Sequence, residues 1–489
     1  MTSDRMAAPG PGTVPEFAVL GHPNEGKSAV VSTLTEDDQI RVSPFPGETT
    51  VCRTYTVKID GRDIIRFVDT PGFQVPRQTL AWFRSYQGDP GRILDHFIQA
   101  HTSDPFFADE CELFAPVAKG AGIIYVVNGS RPVRADDLAE MEILRLTGRP
   151  RMAIINAKNM EKDYTRDWRQ EFGRYFNAVR VFNANTAGFY ERIRMLESLK
   201  SIDQEWEPAL IRVIQAFEQE WEKRNRLACA YICHAIEKSL TFSVSRGLDD
   251  VVDPVMAKEN LSATYKKNLR DIEKALFHHI RSLFKHKEYE VYLPEYSVLQ
   301  HDLFARKTWD LLGLTRKQLA AAGALVGGTM GVMVDTAAHG LGFGMFTAIG
   351  SILGAGSAVM GARRMAEHSP AGIRLGGDRL RVGPNKNLQF LYILLDRALI
   401  YYTHIISRAH GRRDMKNFRP GQADKEKKLG FSTRMTPGQR QICARYFKAV
   451  TGRKLVRDKK AALAFAVLVQ TLLEDIAKQT DKHQLPPGG

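Results

Sequence analysis

The stretch Gly21-His22-Pro23-Asn24-Glu25-Gly26-Lys27-Ser28 decides the fold. It has the form G-x-x-x-x-G-K-S, follows the apolar run Phe17–Leu20 and precedes the helical run Ala29–Leu34. A strand, this loop and a helix in that order make a phosphate-binding loop. The chemistry needs these residue types. Glycines let the backbone curl so that several N–H groups converge on phosphate oxygens. The helix beginning there adds its positive N-terminus. Lys27 would neutralise charge on the β- and γ-phosphates, and the Ser28 hydroxyl would ligate Mg²⁺.

Outward from the loop, short apolar runs alternate with polar helical stretches from Glu16 to about Asn185, the pattern of a mostly parallel sheet flanked by helices. Strands are expected at Phe17–Leu20, Val51–Asp60, Asp63–Asp69, Ala121–Val127, Met152–Asn156 and Val179–Phe182. The long link from Gly72 to Gly120 reads as a helical insertion, about 74–118. Three more pieces fall at useful distances. Asp69-Thr70-Pro71-Gly72 ends a strand, so Asp69 is placed to hold Mg²⁺ through water and the Gly72 N–H to meet the γ-phosphate. Thr49-Thr50 lies between, where a switch segment supplies a Mg²⁺-ligating hydroxyl. Asn156 and Asn183-Ala184-Asn185 end later strands, where a base would be gripped. The loop alone leaves kinase, ATPase and GTPase open; the ordered set favours GTPase.

With these motifs the chain resembles the Era-like GTPases of the TrmE–Era–EngA–septin class, over roughly residues 16–190, through GHPNEGKS, PGETT and DTPG. It also resembles a narrower bacterial family in which such a domain is fused to an uncharacterised C-terminal domain. Asp109-Glu110-Cys111-Glu112-Leu113, Gly129-Ser130-Arg131-Pro132 and Leu394-Leu395-Asp396-Arg397-Ala398-Leu399 carry that second likeness. The resemblance implies an α/β P-loop GTPase domain that binds GTP or GDP with Mg²⁺ and hydrolyses GTP. It implies Thr50 rather than Thr49 as the metal ligand, and a K⁺ site beside Asn24.

Two departures from the family pattern bear on function. The guanine motif Asn-Lys-x-Asp reads Asn156-Ala157-Lys158-Asn159 here. An Asp carboxylate accepts two hydrogen bonds from guanine, whereas Asn159 offers one acceptor and a donor that faces a donor. Such a mismatch costs about 1–3 kcal/mol, so base selectivity through Asn156, Lys158 and Asn159 is weakened, with Asp163 a displaced substitute. The residue after Asp-Thr-Pro-Gly is Phe73, where many GTPases carry a water-orienting Gln, so intrinsic hydrolysis is expected to be slow.

Beyond the first domain the period becomes helical: Leu210, Val213, Ile214, Phe217 and Trp221 recur at spacings of three and four. Residues 1–15 read as a flexible leader, 191–318 as amphipathic helices, and 319–365 as a Gly-rich apolar helical hairpin. Residues 366–478 read as a C-terminal region with a small hairpin at Ile373–Val382, an apolar helix at Leu388–Ser407 interrupted by Asp396 and Arg397, and a basic segment. Residues 479–489 read as a flexible tail. The apolar halves Leu319–Val334 and Gly340–Ala362 hold 16 and 23 residues; a bilayer needs about 20, so the hairpin is read as dipping into a membrane, against the alternative of a buried soluble pair. Asp335 and His339 lie between the halves.

The 489 residues carry 69 Lys+Arg against 55 Asp+Glu, a net charge of +14. Residues 397–460 alone hold 18 Lys/Arg and 4 Asp/Glu, again +14, so the rest of the chain is neutral. That excess is a surface for an anionic partner, inner-membrane lipid or ribosomal RNA. Five cysteines exclude a disulfide scaffold and Met1–Pro15 lacks an apolar core, so a cytoplasmic chain is expected; the apolar hairpin and basic segment add the inner membrane as a peripheral or integral site. Cys229, Cys233 and His234 lack a second ligand pair and read as helix core, and His278-His279 as a solvated face. The functions in play are a slow GTPase switch at the inner membrane, a ribosome- or RNA-associated assembly GTPase, and a nucleotide-binding scaffold with little hydrolysis.

Overall fold

A computed structural model describes residues 14–36, 49–157, 163–185, 187–247, 253–284, 297–324, 379–407, 430–452 and 458–482. The first part is a six-stranded sheet in the order β2-β3-β1-β4-β5-β6, built from β1 (Glu16–Leu20), β2 (Arg53–Ile59), β3 (Arg62–Asp69), β4 (Gly122–Asn128), β5 (Arg151–Asn156) and β6 (Ala178–Phe182). Only the β2–β3 pair is antiparallel. Its connection is Asp60-Gly61, with φ of 48° and 79°, the positive pair that a tight hairpin turn needs. The central strands are buried on both faces, as in Phe17–Leu20 and Ile123–Val127, because helices cover both sides. Helix α1 (Lys27–Thr35) follows the loop, and the insertion supplies α2 (Pro76–Ser85), α3 (Ile93–His101) and α4 (Ala108–Ala118). Helices α5 (Ala135–Leu146), α6 (Thr165–Tyr175) and α7 (Phe189–Lys200) complete this layer. The expected boundary at 190 falls inside the first turn of α7.

The second part is mainly helical: α8 (Glu207–Thr241), α9 (Pro254–Leu283), α10 (Arg306–Leu311), α11 (Arg316–Ala324), α12 (Leu388–Ile406), α13 (Pro437–Thr451) and α14 (Lys459–Lys482). One apolar core runs from the sheet into these helices. Trp206 meets Phe17 of β1 edge-on at 4.9 Å, and Trp221 of α8 stacks on Phe189 of α7 at 4.4 Å. The two parts are therefore joined by packing as well as by sequence.

Two expectations change here, and a third lies outside the described residues. Helix α12 is not interrupted at Asp396 and Arg397, because both charges are buried and satisfied. Asp396 accepts from the N–H of Gly313 (2.8 Å), the N–H of Ser432 (2.8 Å) and the Ser432 hydroxyl (2.7 Å). Arg397 donates to both carboxylate oxygens of Glu273 at 2.5 and 2.9 Å and to the carbonyl of His301 at 2.9 Å, which removes one cation from the basic surface. Strand β8 (Arg379–Val382) pairs antiparallel with β7 (Val244–Gly247) at the end of α8, so its described partner is remote rather than local. The apolar hairpin from residue 325 onward, with Asp335 and His339, lies outside the described residues, as do 408–429 and 453–457 of the basic segment. Among the described residues no helix is long and apolar enough to cross a membrane.

Candidate functional site

Because β1, β3, β4, β5 and β6 are parallel, their carboxyl ends share one edge of the sheet, and the candidate residues collect there. The loop from Gly21 to Ser28 leaves β1 on that edge. Gly21 (φ 141°) and Gly26 (φ 99°) both take positive φ, where a Cβ is strained. At Gly21 a Cβ would also lie 2.3 Å from the Val126 carbonyl oxygen, so the loop can rest on β4 only with glycine there. Lys27 folds back beneath the loop and its Nζ donates to the carbonyls of Gly21 and His22, each at 3.1 Å. The ammonium is thus fixed under the curl of the loop.

The Ser28 hydroxyl donates to Asp69 Oδ2 at 2.7 Å, and Thr49 Oγ1 reaches the same oxygen at 3.5 Å. Thr50 is exposed, so Thr49 is the threonine turned toward the carboxylate. Asp69 Oδ1 is buried and has no hydrogen-bond partner among the described residues. Burial pushes the Asp69 carboxyl above its ordinary value, against the pull of Ser28 and Lys27. Hydroxyls beside a carboxylate with an unsatisfied buried oxygen form an all-oxygen donor set, which suits a hard cation such as Mg²⁺.

After Asp69 the chain closes onto the loop. A Cβ at Gly72 would lie 2.6 Å from the Pro23 ring and nitrogen, so glycine is required for that approach. The Phe73 N–H donates to the Gly21 carbonyl at 3.4 Å. The Phe73 ring turns away from the loop into the insertion core and meets Phe114 edge-on at 5.9 Å.

Asn156 is fully buried and spends both ends of its amide on backbone. Its Nδ2 donates to the Glu25 carbonyl at 3.1 Å and its Oδ1 accepts the Ala184 N–H at 3.3 Å. It therefore ties the phosphate loop to the Asn183–Asn185 turn, where the Asn183 side chain accepts the Asn185 N–H at 3.0 Å. Thr33 of α1 also donates to the Ala184 carbonyl, at 2.8 Å. Lys158 and Asn159 lie outside the described residues. Asp163 caps α6 by accepting the Thr165 N–H at 2.9 Å.

Three further clusters escaped the sequence reading. Glu25 accepts from Arg131 Nε at 2.7 Å and from the Asn128 N–H, while Arg131 forks onto Asp137 at 2.6 and 2.7 Å. His22 Nδ1 lies 3.0 Å from Glu140, which also accepts the Tyr125 hydroxyl at 2.8 Å. Glu110 and Glu112 of α4 reach the backbone on either side of the candidate metal site. The Gly129–Pro132 and Asp109–Leu113 phrases held the only sequence signal for the first and third clusters. Elsewhere, Cys229 is buried and its thiol donates to the Ala466 carbonyl at 3.3 Å, and the His279 ring stacks on Tyr231.

A family model described as 50S ribosome-binding GTPase matches residues 16–157, and one described as a domain of unknown function (DUF3482) matches residues 169–473. Probable GTP-binding protein EngB of Acidobacterium capsulatum is 25% identical over 147 residues, covering 29% of this chain and 60% of that protein. GTPase Der of Agathobacter rectalis is 37% identical over 60 residues, 12% of this chain and 13% of that protein. The chain thus spans less than two thirds of either relative. Among solved structures, Era in complex with MgGDPNP and nucleotides 1506–1542 of 16S ribosomal RNA is 15% identical, covering 39% of this chain and 57% of that one with a TM-score of 0.29. NFeoB from S. thermophilus bound to GDP.AlF4⁻ and K⁺ is 16% identical, covering 55% and 90% with a TM-score of 0.22.

Proposed function

We infer that the chain, which belongs to the family described as a domain of unknown function (DUF3482) and carries a GTPase domain ahead of that region, is a slow, Mg²⁺-dependent GTPase switch. The observation that carries this is the set formed by Lys27, Ser28 and Asp69. The ammonium sits under the loop, and the Ser28 hydroxyl lies 2.7 Å from a carboxylate whose second oxygen is buried and has no partner among the described residues. In this reading the amides of residues 21–28 bind the phosphates and Lys27 neutralises their charge. Ser28 and Asp69 hold Mg²⁺ with a hydroxyl from Thr49 or Thr50, and the Gly72 N–H meets the γ-phosphate. The metal would supply charge neutralisation between the β- and γ-phosphates.

Hydrolysis is slow in this reading because the Phe73 ring is committed to the core and leaves no side chain at that position to orient water. K⁺ at Asn24 is the proposed accelerator, and turnover measured with and without it tests that point. Triphosphate binding orders the segments at Thr49-Thr50 and Asp69–Gly72, and loss of the γ-phosphate releases them. The helical part responds through the buried ion pair between Glu36, at the end of α1, and Arg224 of α8. Its excess of Lys and Arg in residues 397–460 supports docking on anionic lipid at the inner membrane. Flotation with anionic vesicles tests that docking; co-sedimentation with ribosomal RNA and no flotation would replace it with the assembly-factor reading.

The test of the site itself is calorimetry of the full chain with guanine, adenine and xanthine nucleotides, with and without Mg²⁺. Lys27→Ala should abolish binding. Full affinity in that variant sinks the assignment.

A further inference from the structure

One helix of the insertion holds both of the segments that flank the candidate metal site. Glu110 of α4 is fully buried, and its Oε1 accepts the backbone N–H of Gln74 at 2.8 Å and of Val75 at 2.7 Å. These two residues lie just past Gly72 and lead into α2, whose N-cap residue Val75 has no side-chain cap of its own. Two positions along α4, Glu112 Oε1 accepts the Cys52 N–H at 2.7 Å, and the Glu112 carbonyl accepts the Cys52 thiol at 3.1 Å. Cys52 lies just past Thr50. Phe114 of the same helix receives the Phe73 ring.

A buried carboxylate is costly, and an apolar side chain of similar volume would fill the space beside Leu113 and Phe114 without that cost. The carboxylate at 110 is therefore explained by the amides it binds, since charge-assisted bonds are about twice as strong as neutral ones. Glu112 is only half-buried, yet it grips backbone rather than solvent.

We propose that Glu110 and Glu112 are positioning residues, and that α4 is a brace which sets the segments after Thr50 and after Gly72 in mutual register so that both close on a triphosphate. The proposal rests on the switch reading above. A brace of this kind acts on the triphosphate state and is indifferent to the diphosphate, because only the γ-phosphate calls on both segments at once.

The test uses the full chain with Glu112→Ala and Glu110→Gln, measuring affinity for Mg²⁺·GDP and Mg²⁺·GDPNP and the turnover of GTP. We expect GDP affinity within about twofold of the unmodified chain, GDPNP affinity lower by about tenfold, and kcat reduced with it. Equal losses for the two nucleotides indicate a structural role only and overturn the brace, as does an unchanged GDP-to-GDPNP ratio. If the unmodified chain binds neither nucleotide, or Lys27→Ala keeps full affinity, the switch reading itself has failed. If Glu110→Gln does not fold, as judged by its melting transition, Glu112→Ala decides alone, because that side chain is half-exposed and outside the core.

Discussion

The carboxylate of Glu36, the residue that closes α1, lies 2.9 and 3.0 Å from the guanidinium of Arg224 on α8, and both side chains are buried. Arg192 Nη1 of α7 lies 2.6 Å from the same carboxylate. Glu36 holds φ at 54°, a strained value for a residue with a Cβ, which the two arginines help to fix. The helix that begins at the phosphate loop therefore ends on a buried ionic joint with the helical region. Glu220 also accepts from Arg224, at 3.0 Å, so removing one member leaves the others of this buried network partly compensated, at a cost of up to about 3–5 kcal/mol. Glu36→Gln and Arg224→Met should each lower the unfolding free energy read from urea titration, by up to that range. The double variant should lose less than the sum of the two. Strict additivity would mean that the groups do not interact.

The candidate metal site gives a second prediction. Asp69 is held against Ser28, and no proton donor reaches its Oδ1 among the described residues. Asp69→Asn should lower Mg²⁺-dependent nucleotide affinity by about 10- to 100-fold, the range for groups that act on a metal through water. Nucleotide binding measured in EDTA should be little changed. An equal loss in both conditions would show that Asp69 serves the fold and not the metal.

The third prediction concerns pH. The hydrogen bond to Glu140 raises His22 above its ordinary 6.5, and burial raises Glu140 above its ordinary value, with His22 and Tyr125 opposing. Glu25 and Arg131 also face His22. Both shifts mean that the folded chain binds more protons than the unfolded one, so stability falls as pH rises. The His22 contribution is whole below 6.5 and is lost as pH climbs through its raised value. The burial cost of the Glu140 charge begins lower, as pH rises above the ordinary 4.5 of that carboxyl. Urea midpoints between about pH 6 and 8 should fall with pH, and Glu140→Gln should flatten the slope. Parallel slopes in the two proteins would remove the pair from the account.

The sheet was legible because its central strands β1, β4 and β5 are continuous apolar runs buried on both faces, which anchored the pattern, and each expected strand falls within a residue or two of β1 to β6. The turn from Gly21 to Ser28 and the placing of Asp69 beside Ser28 were legible because their residue types are dictated by local backbone and charge. The pairings that organise the rest are long-range. Glu36 meets Arg224 across 188 positions and Arg397 meets Glu273 across 124, and no local period encodes such partners. Asp396 and Arg397 read as an interruption because a charge inside an apolar helix is ambiguous until its acceptors and donors are known. The choice between Thr49 and Thr50 turns on a single residue of register in a non-helical segment, which neither hydrophobic period constrains.

Base selection supplies the last prediction. Asn156 is already committed to the Glu25 carbonyl and the Ala184 N–H, so its amide frames the pocket and leaves discrimination to its neighbours. In the Asn-Lys-x-Asp motif the final carboxylate accepts both guanine N1–H and the N2 amine; Asn159, which lies outside the described residues, holds that place in the sequence, and an amide there would set a donor against one of them. Asn159→Asp should therefore tighten GDP binding by about tenfold or more, corresponding to the relief of one mismatched buried pair. It should weaken xanthosine diphosphate in the opposite sense, since xanthine presents an acceptor where guanine presents a donor. Calorimetry of both nucleotides against both proteins reads the two changes together. If Asn159→Asp moves neither affinity, residue 159 does not touch the base, and selectivity must come from the Asn183–Asn185 turn that Asn156 holds in place.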